Sequence, residues 1–163
     1  MQELRDIRSS LELSPGILRG FVDGIPMHRI DERRSATAWT LREHVEHLAE
    51  VQPMLYERLR RFRDEEHPDF TPYMPDEDEG RAERSGTVRL TDHINQFESS
   101  RRELLELIDS LSGEVWEKEA THPEYSEYTA FILVRHILLH DHWHMYRMEE
   151  LLLTRDEYLT ELQ

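Results

Sequence analysis

The sequence contains no cysteine. That excludes disulfides, thiolate zinc sites and a cysteine nucleophile, and it argues against an oxidising compartment. The N-terminal run MQELRDIRSS has no apolar stretch, so no secretory signal is expected. No apolar run is long enough to span a bilayer. A cytoplasmic protein is the expectation. Glycine is scarce, six residues in 163, and no glycine-rich phosphate loop occurs. No segment alternates apolar and polar residues as a strand does, and no internal repeat is visible. Positive charge is short as well: 20 Lys and Arg stand against 35 Asp and Glu, for a formal net charge of −15. Such a surface repels nucleic acid phosphates and anionic membranes, so neither is expected as a partner.

What remains is a helical chain rich in histidine. Its length suits one domain with a sizeable core, residues 1–163. Four of the ten histidines fall in Phe131–Leu153, FILVRHILLHDHWHMYRMEELLL. His136, His140 and His144 stand four residues apart, which at about 3.6 residues per turn puts them on one helix face. Two imidazoles so placed can reach one divalent cation, with a third ligand supplied by another element.

Taken in order, Met1 to Leu13 is expected to open with a short helical turn. Ser14-Pro15 reads as a helix start, serine as N-cap and proline at the first position. Ile17, Leu18, Phe21, Val22 and Ile25 form its stripe, and Gly24 with Pro26 stops it. Met27 to Ala38 reads as a polar loop. Trp39-Thr40 opens the second helix, and Thr40-Leu-Arg-Glu43 fits a capping box. Its apolar face carries Leu41, Val45, Leu48, Val51, Leu55, Leu59 and Phe62, with a kink expected at Pro53. Asp64 to Gly86 is a long loop rich in Pro, Asp, Glu and Gly. Thr91 is the expected cap of a third helix running to about Leu111, with Ile94, Phe97, Leu104, Leu105, Ile108 and Leu111 inward. Val115 and Trp116 pack as a short turn. Thr129 caps the fourth long helix, and Thr154-Arg-Asp-Glu157 suggests a short extra terminal helix. The fold class that follows is all-α, a four-helix bundle.

On the fourth helix, His136, His140 and His144 span roughly 80° of the wheel and share that sector with Leu133, Ile137, Met148 and Leu151. They point to the core. His142 falls on the polar strip with Arg135 and Glu149. Val134, Leu138, Met145 and Leu152 form a second apolar row, which predicts a helix–helix homodimer interface. Buried imidazoles need partners for their nitrogens. A metal satisfies one nitrogen of each; bonds to carbonyls or to one another are the plainer alternative. On the second helix, His44 lies nearer the middle of the stripe and His47 at its edge, and periodicity does not choose between them.

Trp39-Thr40-Leu-Arg-Glu43-His44-Val-Glu-His47-Leu48 resembles the W-[ST]-x-x-E-x-x-x-H-L signature of the DinB-like superfamily. His140-Asp141-x-x-His144 resembles that family's closing H-x-x-x-H, and Trp116 and His122-Pro123 to Thr129 resemble its approach to the last helix. The match runs from about Ser14 to Leu153. The resemblance implies a bundle of unusual connectivity, often dimeric, and a divalent metal held by His47, His140 and His144. It also implies kinship with transferases and isomerases that use low-molecular-weight thiols. One departure is Arg147, where many members have Gln; a cation there can orient an anionic substrate or pair with an acid.

Three neutral nitrogen ligands leave an open position, the pattern of a catalytic site. Bound water is acidified there, to a pKa near ~7 in the best zinc cases, and a thiol loses its proton on coordination. The expected function is therefore a metal-dependent transferase joining a small thiol to a small electrophile, or a related hydrolase. The alternative is a non-catalytic, dimeric metal-binding bundle with a stress role or a vestigial site. Zinc or nickel is favoured as the ion, with iron a further option. Glu43, Asp141 and Arg147 are the candidate catalytic helpers, with capping the favoured role for Glu43 and a supporting or solvent role for Asp141. A di-iron carboxylate bundle is set aside, because the fourth helix lacks a glutamate three residues before a histidine.

Overall fold

The computed structural model describes residues 2–34, 38–72 and 86–161; most of the long acidic loop lies outside them. Its helices are α1 (Gln2–Asp23), α2 (Met27–Ile30), α3 (Leu41–Glu50), α4 (Gln52–Asp64), α5 (Leu90–Ser110) and α6 (Ala130–Leu153). Gly113–Glu117 and Asp156–Glu161 are 3-10 turns, so the expected terminal helix is a tighter coil than an α-helix. The α3–α4 rod is the expected second helix, broken at Val51 just ahead of Pro53. Proline cannot donate to the Ala49 carbonyl, and the helix is interrupted there. All seven of its predicted apolar residues are buried.

α1 packs between α5 and α6, and the α3–α4 rod packs between the same two helices. The first and second long helices are therefore diagonal, as are the third and fourth, while the rod and α5 are neighbours. The architecture is a four-helix bundle, as expected, and the connections that follow α4 and α5 are pinned together at one end. There Phe70 N–H donates to the Thr121 carbonyl at 2.9 Å and Ala120 N–H to the Tyr128 carbonyl at 2.8 Å.

Five local expectations are corrected. Met27 to Ala38, expected as a loop throughout, opens with the one-turn helix α2. Ser14-Pro15 does not start a helix; α1 runs through it from Gln2. Leu11, Ser14, Pro15 and Leu18 are all buried, and that packing outweighs the one backbone bond proline removes. Ile17, placed on the inward stripe, is 54% exposed. Thr91 does not cap α5, which begins at Leu90 after Arg89 without a side-chain cap. The apolar row Val134, Leu138, Met145 and Leu152 is covered by the chain's own core: Val134 is fully buried and the others pack half-buried against it. The exposed apolar side chains of α6 are instead Leu139, Trp143, Tyr146 and Leu153.

The core divides into two apolar clusters, and the division positions the site. One cluster takes Ile7 and Leu11 of α1, Leu55, Leu59 and Phe62 of α4, Leu104, Leu105, Leu107 and Ile108 of α5, and Leu133, Val134 and Ile137 of α6. The other takes Leu18 and Val22, Leu41, Val45, Leu48 and Ala49 of α3, Ile94 and Phe97, and Met148 and Leu151. Between them, at matching heights, come Ser14, His44, His47, Gln52, Arg101, His140, Asp141 and His144. All but half-buried His140 are buried. The bundle carries a polar layer across its middle.

Candidate metal centre

Local sequence chemistry presents the α3 histidines. Thr40 caps α3: its Oγ1 accepts from Glu43 N–H at 3.2 Å, while Glu43 Oε2 accepts from Thr40 N–H at 2.7 Å. Glu43 Oε1 also accepts from Arg33 at 2.5 Å. The box fixes the first turn, and His44 and His47 follow on its inward side, 4% and 2% exposed. On α6 the four-residue spacing stacks His140 and His144 one turn apart.

The three imidazoles meet tip to tip. His47 Nε2 lies 3.0 Å from His140 Nε2, and His144 Nε2 lies 3.1 Å from the same atom. One nitrogen from each of His47, His140 and His144 falls within 4.8 Å of the others. These are the three residues that the family resemblance implied. His44 is not in that group; its Nδ1 sits 2.8 Å from Nδ1 of His144, the opposite side of that ring. The periodicity left His44 and His47 tied, and the geometry separates them.

The residues fit a divalent cation. An imidazole nitrogen carries either one hydrogen or one lone pair. His140 Nε2 faces two other ring nitrogens, so linear hydrogen bonds cannot serve both. A cation takes all three lone pairs at once. Tetrahedral ligands about 2.0–2.1 Å from zinc stand roughly 3.3 Å from one another, close to the separations seen. Burial pushes the His140 imidazole below its ordinary range, a shift Asp141 opposes and Arg101 reinforces. It is therefore neutral near pH 7, as a ligand must be.

Aromatic rings wall the cluster. Trp39 stacks on His144, 5.7 Å between centroids and 23° between planes, and meets His44 and His47 at 5.2 Å each. Trp143 stands perpendicular to His144 at 4.7 Å. Arg147 lies 6.0 Å over Trp143 and donates to Glu150 Oε2 at 2.6 Å, so it pairs with an acid beside the site.

Asp141 is neither at the surface nor bonded to a ring. It is 0% exposed, 2.8 Å from Arg101 Nη1, and accepts from Ser14 Oγ at 2.8 Å. Arg101 and Ser14 escaped the sequence reading. The available signal was Arg101 in phase with Phe97, Leu104 and Ile108, a charge on an apolar stripe. Glu46 was also missed; it is 5% exposed and accepts from Gly86 N–H at 2.9 Å.

The remaining histidines lie apart from the triad. His136 is half-buried with Tyr125 and Tyr128, at 5.2 and 5.9 Å. His122 is buried, and its Nδ1 accepts from Glu124 N–H at 3.2 Å. His93 is buried with its Nε2 3.9 Å from Glu46. His28 in α2, His67 in its loop and His142 on the polar strip of α6 are exposed.

The profile of the DinB superfamily matches residues 10–148. The chain belongs to the DinB superfamily. YfiT from Bacillus subtilis, described as "a probable metal-dependent hydrolase with an unusual four-helix bundle topology", superposes with a TM-score of 0.80. The two are 21% identical, over 93% of this chain and 86% of that one. The likeness establishes the fold. No curated protein matches the sequence. Among the described residues, no helix of this DinB-superfamily member is long and apolar enough to cross a membrane.

Proposed function

We propose that this chain is a divalent-metal-dependent enzyme with His47, His140 and His144 as ligands. Its reaction is the attack of water or a small thiol on a small electrophile. The observation that carries the reading is the convergence of one ring nitrogen from each of three histidines, with His47 Nε2 and His144 Nε2 both within 3.1 Å of His140 Nε2. A divalent cation with three neutral imidazole ligands keeps a position open and supplies Lewis acidity to the nucleophile. The chain's own groups do the rest. Trp39 and Trp143 shield the imidazoles, Thr40 and Glu43 fix the α3 end, and Arg147, paired with Glu150, lies over Trp143. The chain has no thiol, so a thiol nucleophile has to arrive as a co-substrate. The Bacillus subtilis neighbour, described as a hydrolase, supports the water branch.

A second reading is a non-catalytic metal-binding bundle. One observation favours it: Glu43 and Asp141, the nearest candidate bases in sequence, are bonded to Arg33 and Thr40 and to Arg101 and Ser14. The test starts with elemental analysis of untagged protein beside a His140→Ala, His144→Ala double variant. Metal in the first and none in the second is expected; equal content in both overturns the site. Metal-loaded protein is then assayed with activated esters, and with small electrophiles plus a small thiol. Turnover lost with the metal supports the enzyme. Lost stability with no turnover supports the second reading.

A further inference from the structure

We propose that His44 is a positioning residue for the metal centre, holding His144 in the tautomer that presents Nε2 to the cation. The proposal rests on the three-histidine reading above and goes past it to the atom that orients a ligand. A neutral imidazole has one hydrogen for two nitrogens. If His144 gives the lone pair of Nε2 to the shared point, its hydrogen sits on Nδ1. That Nδ1 lies 2.8 Å from His44 Nδ1, a good hydrogen-bond distance. His144 therefore donates, His44 accepts, and the hydrogen of His44 is placed on its Nε2. One contact fixes both tautomers.

The surroundings strengthen that contact. His44 and His144 are 4% and 3% exposed, and Trp39 and Trp143 lie against both rings. A hydrogen bond in so dry a place is stronger than in water, and losing it leaves a buried donor unpaired. Carboxylates and carbonyls are the usual acceptors behind metal-bound imidazoles. An imidazole acceptor orients the ligand without adding negative charge, so more of the cation's charge remains for the nucleophile. The His44-x-x-His47 spacing thus gives one helix two jobs, with His47 as ligand and His44 as the orienting group behind the ligand on the facing helix.

The experiment compares zinc binding by the full chain, His44→Ala and His44→Asn, using competition with a chromophoric chelator. The asparagine amide oxygen replaces the acceptor near the position of Nδ1. His44→Ala is expected to lose roughly 10–100-fold in zinc affinity, and His44→Asn to recover most of it. Nitrogen-15 NMR of the zinc-loaded unaltered protein should show hydrogen on His144 Nδ1 and His44 Nε2. Equal affinity of His44→Ala and the unaltered protein overturns the proposal. So does failure of His44→Asn to recover affinity, or a hydrogen on His144 Nε2. If His44→Ala does not fold, the asparagine variant and the NMR decide. Absence of zinc binding by the unaltered protein overturns the three-histidine reading itself, a different outcome from binding that ignores residue 44.

Discussion

Replacing Arg101 by methionine tests the polar layer. Arg101 is 1% exposed and holds both oxygens of Asp141, at 2.8 Å from Nη1 and 3.1 Å from Nη2. Methionine fills much of the volume and removes the charge. Asp141 then remains at 0% exposure with the Ser14 hydroxyl as its surviving bond from this group. Leaving one member of a buried pair uncompensated costs about 3–5 kcal/mol. In a chain of this size each kcal/mol moves the midpoint by about 2–4 °C, so Tm falls by about 6–20 °C. Changing both partners, Arg101→Met with Asp141→Leu, should cost less than either single change, because no charge is stranded. The assay is urea unfolding of metal-free protein followed by far-UV circular dichroism, with a thermal scan beside it. A cost for Arg101→Met below about 1 kcal/mol, or a double variant as costly as the two singles combined, refutes the reasoning.

Thr40→Ala removes the acceptor at the start of α3 and should cost about 1 kcal/mol, with some loss of metal affinity; urea midpoints and chelator competition read both. His122 and His136 are held below their ordinary value of 6.5, chiefly by burial. The unfolded chain therefore takes up protons that the folded chain refuses. Their contribution is complete above about pH 6.5 and is lost as pH falls through their folded-state values. A His122→Gln, His136→Gln variant should flatten the rise of the urea midpoint between about pH 5 and 7, and an unchanged slope contradicts this. A second copy of the chain is proposed to meet the outward face of α6 at Leu139 and Tyr146, which are 56% and 59% exposed. Sedimentation should then show a dimer that Leu139→Glu and Tyr146→Glu dissociate, and a monomer at micromolar concentration removes the proposal.

Most of the bundle could be read from periodicity, because a stripe such as Leu41, Val45, Leu48 depends only on helix geometry and the exclusion of water. The caps at Thr40 and Thr129 were legible for the same reason: each is a local bond within one turn. Ser14 failed because its residue type suits a cap and its partner, Asp141, lies 127 residues away. No local pattern shows a bond of that separation. Arg101 failed similarly; a lone charge on an apolar stripe is uninterpretable until its counter-charge is found. His44 and His47 could not be ranked from α3 alone, because both face inward. Only the placement of α6 shows which nitrogen meets which.

The contact between His47 and His140 joins positions 93 residues apart. Closed by a cation, it is a crosslink in a chain that has no cysteine to make one. A disulfide closing a loop of that length would restrict the unfolded ensemble by about 4–5 kcal/mol; a cation acts instead by binding the folded chain and leaving when it unfolds. Unlike a disulfide, this staple opens with a chelator and closes without an oxidant. Folding and metal binding are then linked, and a cation that binds the folded chain alone adds stability that grows with its free concentration.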